Sequence, residues 1–201
     1  MQSTVKDDRQ KKPADALAGR LGARSIVLVG MPGSGKSSIG RRLAQRIGLK
    51  FIDADAMIQE AAGGMSIADI FAKHGEPEFR SLEARVIARL LESGPAVIAT
   101  GGGAFMNADT RNLISKRGIS IWLNAEIEIL LRRVKRKNDR PMLQGDDPEG
   151  ILKRLLSERR STYAKATLTV TSSEAPHEMI VDTIVETLEK YLSSETAETQ
   201  L

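Results

Sequence analysis

Apolar residues first gather at Ile26-Val27-Leu28-Val29, a β-branched run that ends in glycines, and then recur at Ile39, Leu43 and Ile47 with helical spacing. The change from a continuous run to a 3.6-residue period predicts strand, turn and helix in succession. Further apolar runs stand at Phe51-Ile52, Ala96-Val97-Ile98-Ala99, Ile119-Ser120-Ile121-Trp122-Leu123 and Leu168-Thr169-Val170. Each is separated from the next by enough chain for a crossover helix. The predicted helices cover about 36–47, 55–73, 77–93, 107–116, 126–137, 149–165 and 177–192. Strands that are apolar throughout, instead of alternating, belong to a parallel sheet covered on both faces. The expectation is therefore a three-layer α/β fold with right-handed crossovers between its five strands.

The ends of the chain lack this pattern. Residues 1–24 are polar and mixed in charge, with a weak amphipathic hint at Leu17 and Leu21, and read as a flexible tail or a fraying helix. Residues 25–192 form the expected single domain, and residues 193–201 a frayed C-terminal tail. An apolar content of 41% and a charged content of 28% over 201 residues exclude disordered, collagen-like and coiled-coil classes. No apolar run approaches the roughly 18 to 20 residues that cross a bilayer, and the first thirty residues lack a signal peptide's apolar core. Asp7, Asp8 and Asp15 argue against a mitochondrial presequence, so the expectation is a cytoplasmic protein with no membrane partner. With no cysteine and two histidines, disulfides, thiolate zinc sites and a cysteine nucleophile are removed. The net charge is +4, but most of it lies in residues 1–24, where six basic residues face three acidic ones. The remainder is close to neutral and does not carry the basic footprint that nucleic acid requires.

Chemistry enters with Gly30-Met31-Pro32-Gly33-Ser34-Gly35-Lys36-Ser37, which matches the GxxxxGK[ST] phosphate loop at every fixed position and lies between a predicted strand and helix. In such a loop the glycines let backbone N–H groups converge on phosphate oxygens, the helix starting near Lys36 aims its positive end there, Lys36 bridges the β and γ phosphates, and Ser37 offers a magnesium ligand. The strand ending at Ala99 carries no acid and runs into Thr100-Gly101-Gly102-Gly103, so the metal-side carboxylate falls to Asp53. Asp55 shares a face with Asp53 if the chain there is extended; the alternative is that it caps the next helix. Gly101, Gly102 and Gly103 mark either a close approach to the backbone or a plain turn. Arg80, near a helix start, hints at an anionic partner, although most helical arginines are simply solvated. Residues 132–140 carry six basic residues and one acid before Pro141, a pattern suited to a solvated face or to a lid, with Arg140 the better functional candidate. Arg159 and Arg160 both precede Tyr163, and spacing does not choose between them. His74, His177, Trp122 and the scattered methionines read as structural.

Taken together, the phosphate loop, Phe51-Ile52-Asp53-Ala54-Asp55, Ser66-Ile67-Ala68-Asp69-Ile70-Phe71, Gly75-Glu76-Pro77-Glu78-Phe79-Arg80, the triple glycine, Asp139-Arg140-Pro141-Met142-Leu143 and Arg159-Arg160-Ser161-Thr162-Tyr163 resemble the shikimate kinases. The resemblance spans about residues 25–191. It implies a P-loop NTPase fold like that of nucleoside monophosphate kinases, strand order 2-3-1-4-5, and ATP-dependent phosphorylation of the 3-hydroxyl of shikimate with Mg²⁺. It further implies that Asp53 supports the metal through water and that Asp55 binds substrate hydroxyls as the candidate base. Arg80 and Arg159 would clamp the shikimate carboxylate, the Gly102 backbone would contact substrate, Arg133 would flank adenine, and Arg140 would reach phosphate from a lid at about 138–148. Ser38 stands where many relatives have threonine. The competing readings are a gluconate or nucleoside monophosphate kinase and, in another class, a GTP switch or nucleic-acid ATPase; the Asn-Lys-x-Asp of guanine recognition is absent. A core of this size needs no partner subunit, so a monomer is expected.

Overall fold

Every residue of β1 (Ser25–Val29) is buried, and neighbours point to opposite sides of the sheet. Ile26 and Leu28 join one apolar cluster, Val27 and Val29 the other. The computed structural model describes residues 17–135 and 147–198. Within them β2 (Lys50–Asp53), β3 (Ala96–Ala99), β4 (Gly118–Asn124) and β5 (Leu168–Thr171) lie parallel to β1 in the order β2-β3-β1-β4-β5. This is the expected sheet and strand order.

Helices cover both faces. On one side α1 (Lys36–Ile47) and α7 (His177–Glu198) bury Ile39, Leu43, Ile184 and Leu188 against Ile26, Leu28 and Ile121. On the other, α3 (Ile67–Glu92), α4 (Ala108–Arg117), α5 (Ile127–Lys135) and α6 (Pro148–Tyr163) bring Ile87, Ile114, Leu130 and Leu152 onto Val27, Ile98 and Trp122. Each such fully buried aliphatic side chain contributes roughly 1.5–3 kcal/mol, which is why the alternation within β1 is decisive. A third, smaller cluster of Ile58, Ile70 and Phe79 joins α2 (Ala54–Ala61) to the first half of α3.

Three boundaries differ from the sequence expectation. The helix expected over 55–73 ends at Ala61; Gly63 and Gly64 turn the chain, and Ser66 starts α3 by accepting from the Asp69 N–H at 3.1 Å. α3 then runs on through the expected gap, bent at Gly75, whose φ of 79° and ψ of 171° break the helical path. Pro77 sits in the first turn beyond the bend, where its missing N–H costs nothing. The boundaries of the folded body also move outward, toward the chain ends. Leu17 and Leu21 are 1% exposed and pack with the apolar side of α7, so residues 17–24 belong to the body. Arg24 clasps both carboxylate oxygens of Glu195 at 3.0 and 2.9 Å, and α7 continues to Glu198 instead of ending near residue 192. The lone leucines of an otherwise polar stretch were a one-turn helix whose partner lies far along the chain.

Among the described residues no helix is long and apolar enough to cross a membrane.

Candidate active site

The carboxyl ends of β1, β2 and β3 deliver the phosphate loop, the aspartates and the triple glycine to one crevice, the usual ligand position in an open parallel sheet. Gly35 stands at the N-cap of α1 with φ 94° and ψ 9°, a left-handed conformation that glycine adopts without strain. No side chain caps α1 and no acid lies in its first turn, so the positive end of the helix is suited to an anion. Lys36 is buried, and its Nζ donates to the carbonyls of Gly30 at 2.9 Å and Met31 at 3.0 Å. Its charge is thereby held across the loop. Gly33 packs on α5, where a Cβ would meet Val134 Cγ2 at 3.0 Å. Buried Ser34 Oγ finds no hydrogen-bond partner among the described residues, while the Ser38 carbonyl is taken by Arg42.

Ser37 Oγ donates to Asp53 Oδ2 at 2.9 Å. The other oxygen, Asp53 Oδ1, accepts from the Asp55 N–H at 3.1 Å and so caps α2. The helix begins at Ala54, so the extended i, i+2 geometry expected of Asp53 and Asp55 does not occur, and the capping role considered for Asp55 belongs to Asp53. A hydroxyl and a carboxylate oxygen are hard donors suited to Mg²⁺, which keeps several waters and takes its remaining ligands from phosphate. The donor set therefore fits a nucleotide-borne ion. It does not make a dedicated protein cage, and among the described residues no three or more His, Cys, Asp or Glu are grouped so as to hold a metal ion by themselves.

None of Gly101, Gly102 and Gly103 has a positive φ, so these glycines serve space and not backbone freedom. Four side chains approach them. A Cβ on Gly101 would lie 2.9 Å from both Asp55 Oδ1 and Glu83 Oε1; one on Gly102 would lie 3.0 Å from Pro32 Cδ of the phosphate loop; one on Gly103 would lie 2.7 Å from Arg80 Cζ. The Gly102 carbonyl accepts from Arg159 NH1 at 3.2 Å and from the Tyr163 hydroxyl at 2.5 Å. The close approach considered for this segment is thus the correct alternative. It also resolves the neighbouring arginines: Arg159 faces the glycines, while Arg160 lines a shallow groove with Ile127, Lys153, Leu156 and Ser157.

Arg80 lies one turn beyond the Gly75 bend and is held by carboxylates. Its NH1 donates to Glu83 Oε2 at 2.6 Å, and Nε and NH2 share Glu76 Oε1 at 3.3 and 3.2 Å. Burial works to lower the pKa of this guanidinium, but Glu83 and then Glu76 outweigh it and the value is raised. Glu83 is 3% exposed, and its Oε1 has no partner among the described residues. Burial pushes its carboxyl pKa up, with Arg80 opposing and Asp55 assisting. Tyr163, fully buried, is raised by burial against the opposing field of Arg159. It stacks on Trp122 with ring centroids 5.9 Å apart.

Arg133 projects from α5 toward the phosphate loop. NH1 donates to Ser172 Oγ at 2.9 Å and reaches the Gly33 carbonyl at 3.5 Å, and NH2 donates to the Ser173 carbonyl at 2.5 Å. Burial lowers its pKa, with Glu174 opposing. Arg140 and most of the expected lid at 138–148 lie outside the described residues; its final part is Asp147, whose Oδ1 caps α6 by accepting from the Gly150 N–H at 2.7 Å. Glu83 and Ser172 were not singled out from the sequence. Glu83 had a signal, since i, i+3 spacing from Arg80 pairs charges on a helix; Ser172 had none.

The shikimate kinase family model matches residues 32–189 of the chain. This chain belongs to the shikimate kinase family. The shikimate kinase of Bradyrhizobium diazoefficiens is 55% identical over 188 residues, which cover 94% of this chain and 90% of that protein. The shikimate kinase of Brucella canis is 44% identical over 98% of each chain. Among solved structures, Acinetobacter baumannii shikimate kinase in complex with shikimate superposes with a TM-score of 0.81 at 34% identity, covering 87% of this chain and 98% of that one. A gluconokinase from Sinorhizobium meliloti, at 20% identity and a TM-score of 0.58, covers 88% of this chain and 97% of its own and shares the fold alone.

Proposed function

We propose that this shikimate kinase family member transfers the γ-phosphoryl group of ATP to the 3-hydroxyl of shikimate, giving shikimate 3-phosphate and ADP on the way to chorismate and the aromatic amino acids. The observation that carries the proposal is the triple glycine. Gly102 packs directly on Pro32 of the phosphate loop, while Gly101 and Gly103 lie against Asp55 and Arg80. Donor and acceptor sides therefore meet across one short segment.

The division of labour follows from charge. Two guanidinium forks suit a planar carboxylate, and Arg80 and Arg159 both border the triple glycine. Asp55, on the Gly101 side, takes the acceptor hydroxyl by hydrogen bond and orients or deprotonates it. Lys36, Gly33, Ser34, Gly35, Ser37 and Ser38 hold the phosphates, and Arg133 borders the nucleotide. Ser37, with Asp53 acting through water, would hold Mg²⁺, which would supply charge neutralisation to the phosphates. Phosphoryl transfer needs in-line positioning and electrostatic stabilisation more than covalent help, so the placement of these residues is the catalytic device. Arg140, from a lid, is assigned to the transferred charge. A cytoplasmic monomer with no nucleic-acid or membrane partner belongs to the same proposal.

A coupled ADP-release assay with Mg·ATP tests it, comparing shikimate, gluconate, a nucleoside monophosphate and no acceptor. Turnover with shikimate alone is expected. Turnover with gluconate instead would transfer the carboxylate clamp to another acceptor, and binding of ATP with no turnover on any of them would overturn the acceptor site.

A further inference from the structure

Ser172 lies in the turn after β5, is fully buried, and belongs to neither the phosphate loop nor the acceptor site. Its backbone N–H donates at 2.7 Å to the carbonyl of Asn124, the last residue of β4, which fixes the turn to the sheet. The side-chain hydroxyl has one proton and two lone pairs. The proton goes to the Ser34 carbonyl at 2.8 Å, in the phosphate loop, and a lone pair receives Arg133 NH1 at 2.9 Å. One hydroxyl thus joins three segments distant in sequence: the loop after β1, helix α5 and the turn after β5.

We propose that Ser172 is a positioning residue for the nucleotide, locking the phosphate loop and Arg133 into one unit before ATP binds. The inference rests on the proposed assignment of Arg133 and the phosphate loop to ATP. The hydroxyl is fully buried, so its loss takes a side-chain donor from the Ser34 carbonyl and one of the acceptors from Arg133 NH1. The consequence should fall on ATP, since Arg80, Arg159 and Asp55 stand on α3, α6 and α2, whereas Ser172 bonds to the phosphate loop and α5. The preorganised loop geometry raises affinity without taking part in transfer.

The test is steady-state kinetics and isothermal titration with Mg·ATP on Ser172→Ala and Ser172→Thr, with thermal unfolding to verify folding. Ser172→Ala should raise the KM for ATP and weaken nucleotide binding about tenfold, with kcat and the KM for shikimate within about twofold. Ser172→Thr, which keeps the hydroxyl, should return the ATP values to within about threefold of wild type. If Ser172→Ala does not fold, Ser172→Cys, similar in size with a weaker donor, should show the same selective loss in smaller measure. An unchanged ATP affinity in a folded variant, equal rises in both KM values, or no recovery in the threonine variant would overturn the inference. Failure of the wild-type protein to bind Mg·ATP would instead remove the reading on which it rests.

Discussion

Adding a methyl group at Gly101 and at Gly103 should separate catalysis from acceptor binding. At Gly101 the new Cβ would sit 2.9 Å from both Asp55 Oδ1 and Glu83 Oε1. Ordinary carbon–oxygen contact begins near 3.4 Å, so each oxygen must retreat by about 0.5 Å. Both are ends of side chains, and the backbone of Gly101 has no positive φ, so the fold should lose only about 1 kcal/mol, the low end of overpacking. A misplacement of about 1 Å in a reacting array costs roughly 100-fold, so half that shift at Asp55 should lower kcat about tenfold. At Gly103 the methyl would lie 2.7 Å from Arg80 Cζ and closer still to both terminal nitrogens, so the whole guanidinium must move. That substitution should raise the KM for shikimate about tenfold or more, a charge-assisted hydrogen bond being worth about 1.5–3 kcal/mol, and spare the KM for ATP. The assay is the coupled ADP-release rate over a grid of both substrates, alongside thermal unfolding. An unchanged kcat in folded Gly101→Ala, or the same kinetic profile in the two variants, would refute the assignment of the two glycines to different groups.

Glu83→Gln should raise the KM for shikimate about tenfold by loosening Arg80, and should also alter stability with a definite sign. The Glu83 carboxyl pKa is raised in the fold, so its contribution is fully present below the ordinary carboxylate value and lost as pH climbs through the raised one. The melting temperature of Glu83→Gln relative to wild type should therefore rise between about pH 4 and pH 7, and a constant or falling difference would contradict the burial argument. Asp53→Asn should shift the Mg²⁺ concentration for half-maximal rate upward about tenfold, read from rate against free Mg²⁺, since it changes the partner of Ser37. Leu21→Ala should cost about 2–5 kcal/mol in denaturant unfolding with kcat/KM unchanged, because the side chain is buried far from the crevice.

Those elements visible in the sequence are the ones whose signal is local. The β1 run and the 3.6-residue period of Ile39, Leu43 and Ile47 needed no distant partner to be recognised, and the phosphate loop matched a fixed spacing. Leu17 and Leu21 were discounted because their burial depends on α7, which begins some 155 residues later in the chain. Which of Asp53 and Asp55 caps α2 hinged on where that helix starts, and its start at Ala54 gave the cap to Asp53. The triple glycine looked ambiguous because its purpose is spatial: what it makes room for comes from α2, α3 and the phosphate loop. Glu83 and Ser172 lie outside every motif. One is a buried partner to an arginine already noted, the other a hydroxyl whose two contacts lie far away in the chain.

The central claim is that Arg80 and Arg159 grip the acceptor carboxylate while its hydroxyl is presented to Asp55. The most direct measurement is kcat/KM for shikimate and for its uncharged carboxamide, in wild type and in Arg159→Ala. Wild type should lose about 100-fold when the carboxylate becomes an amide, and Arg159→Ala about tenfold or less, since half of the clamp is already gone. Equal losses in the two proteins would contradict the account and place the carboxylate elsewhere.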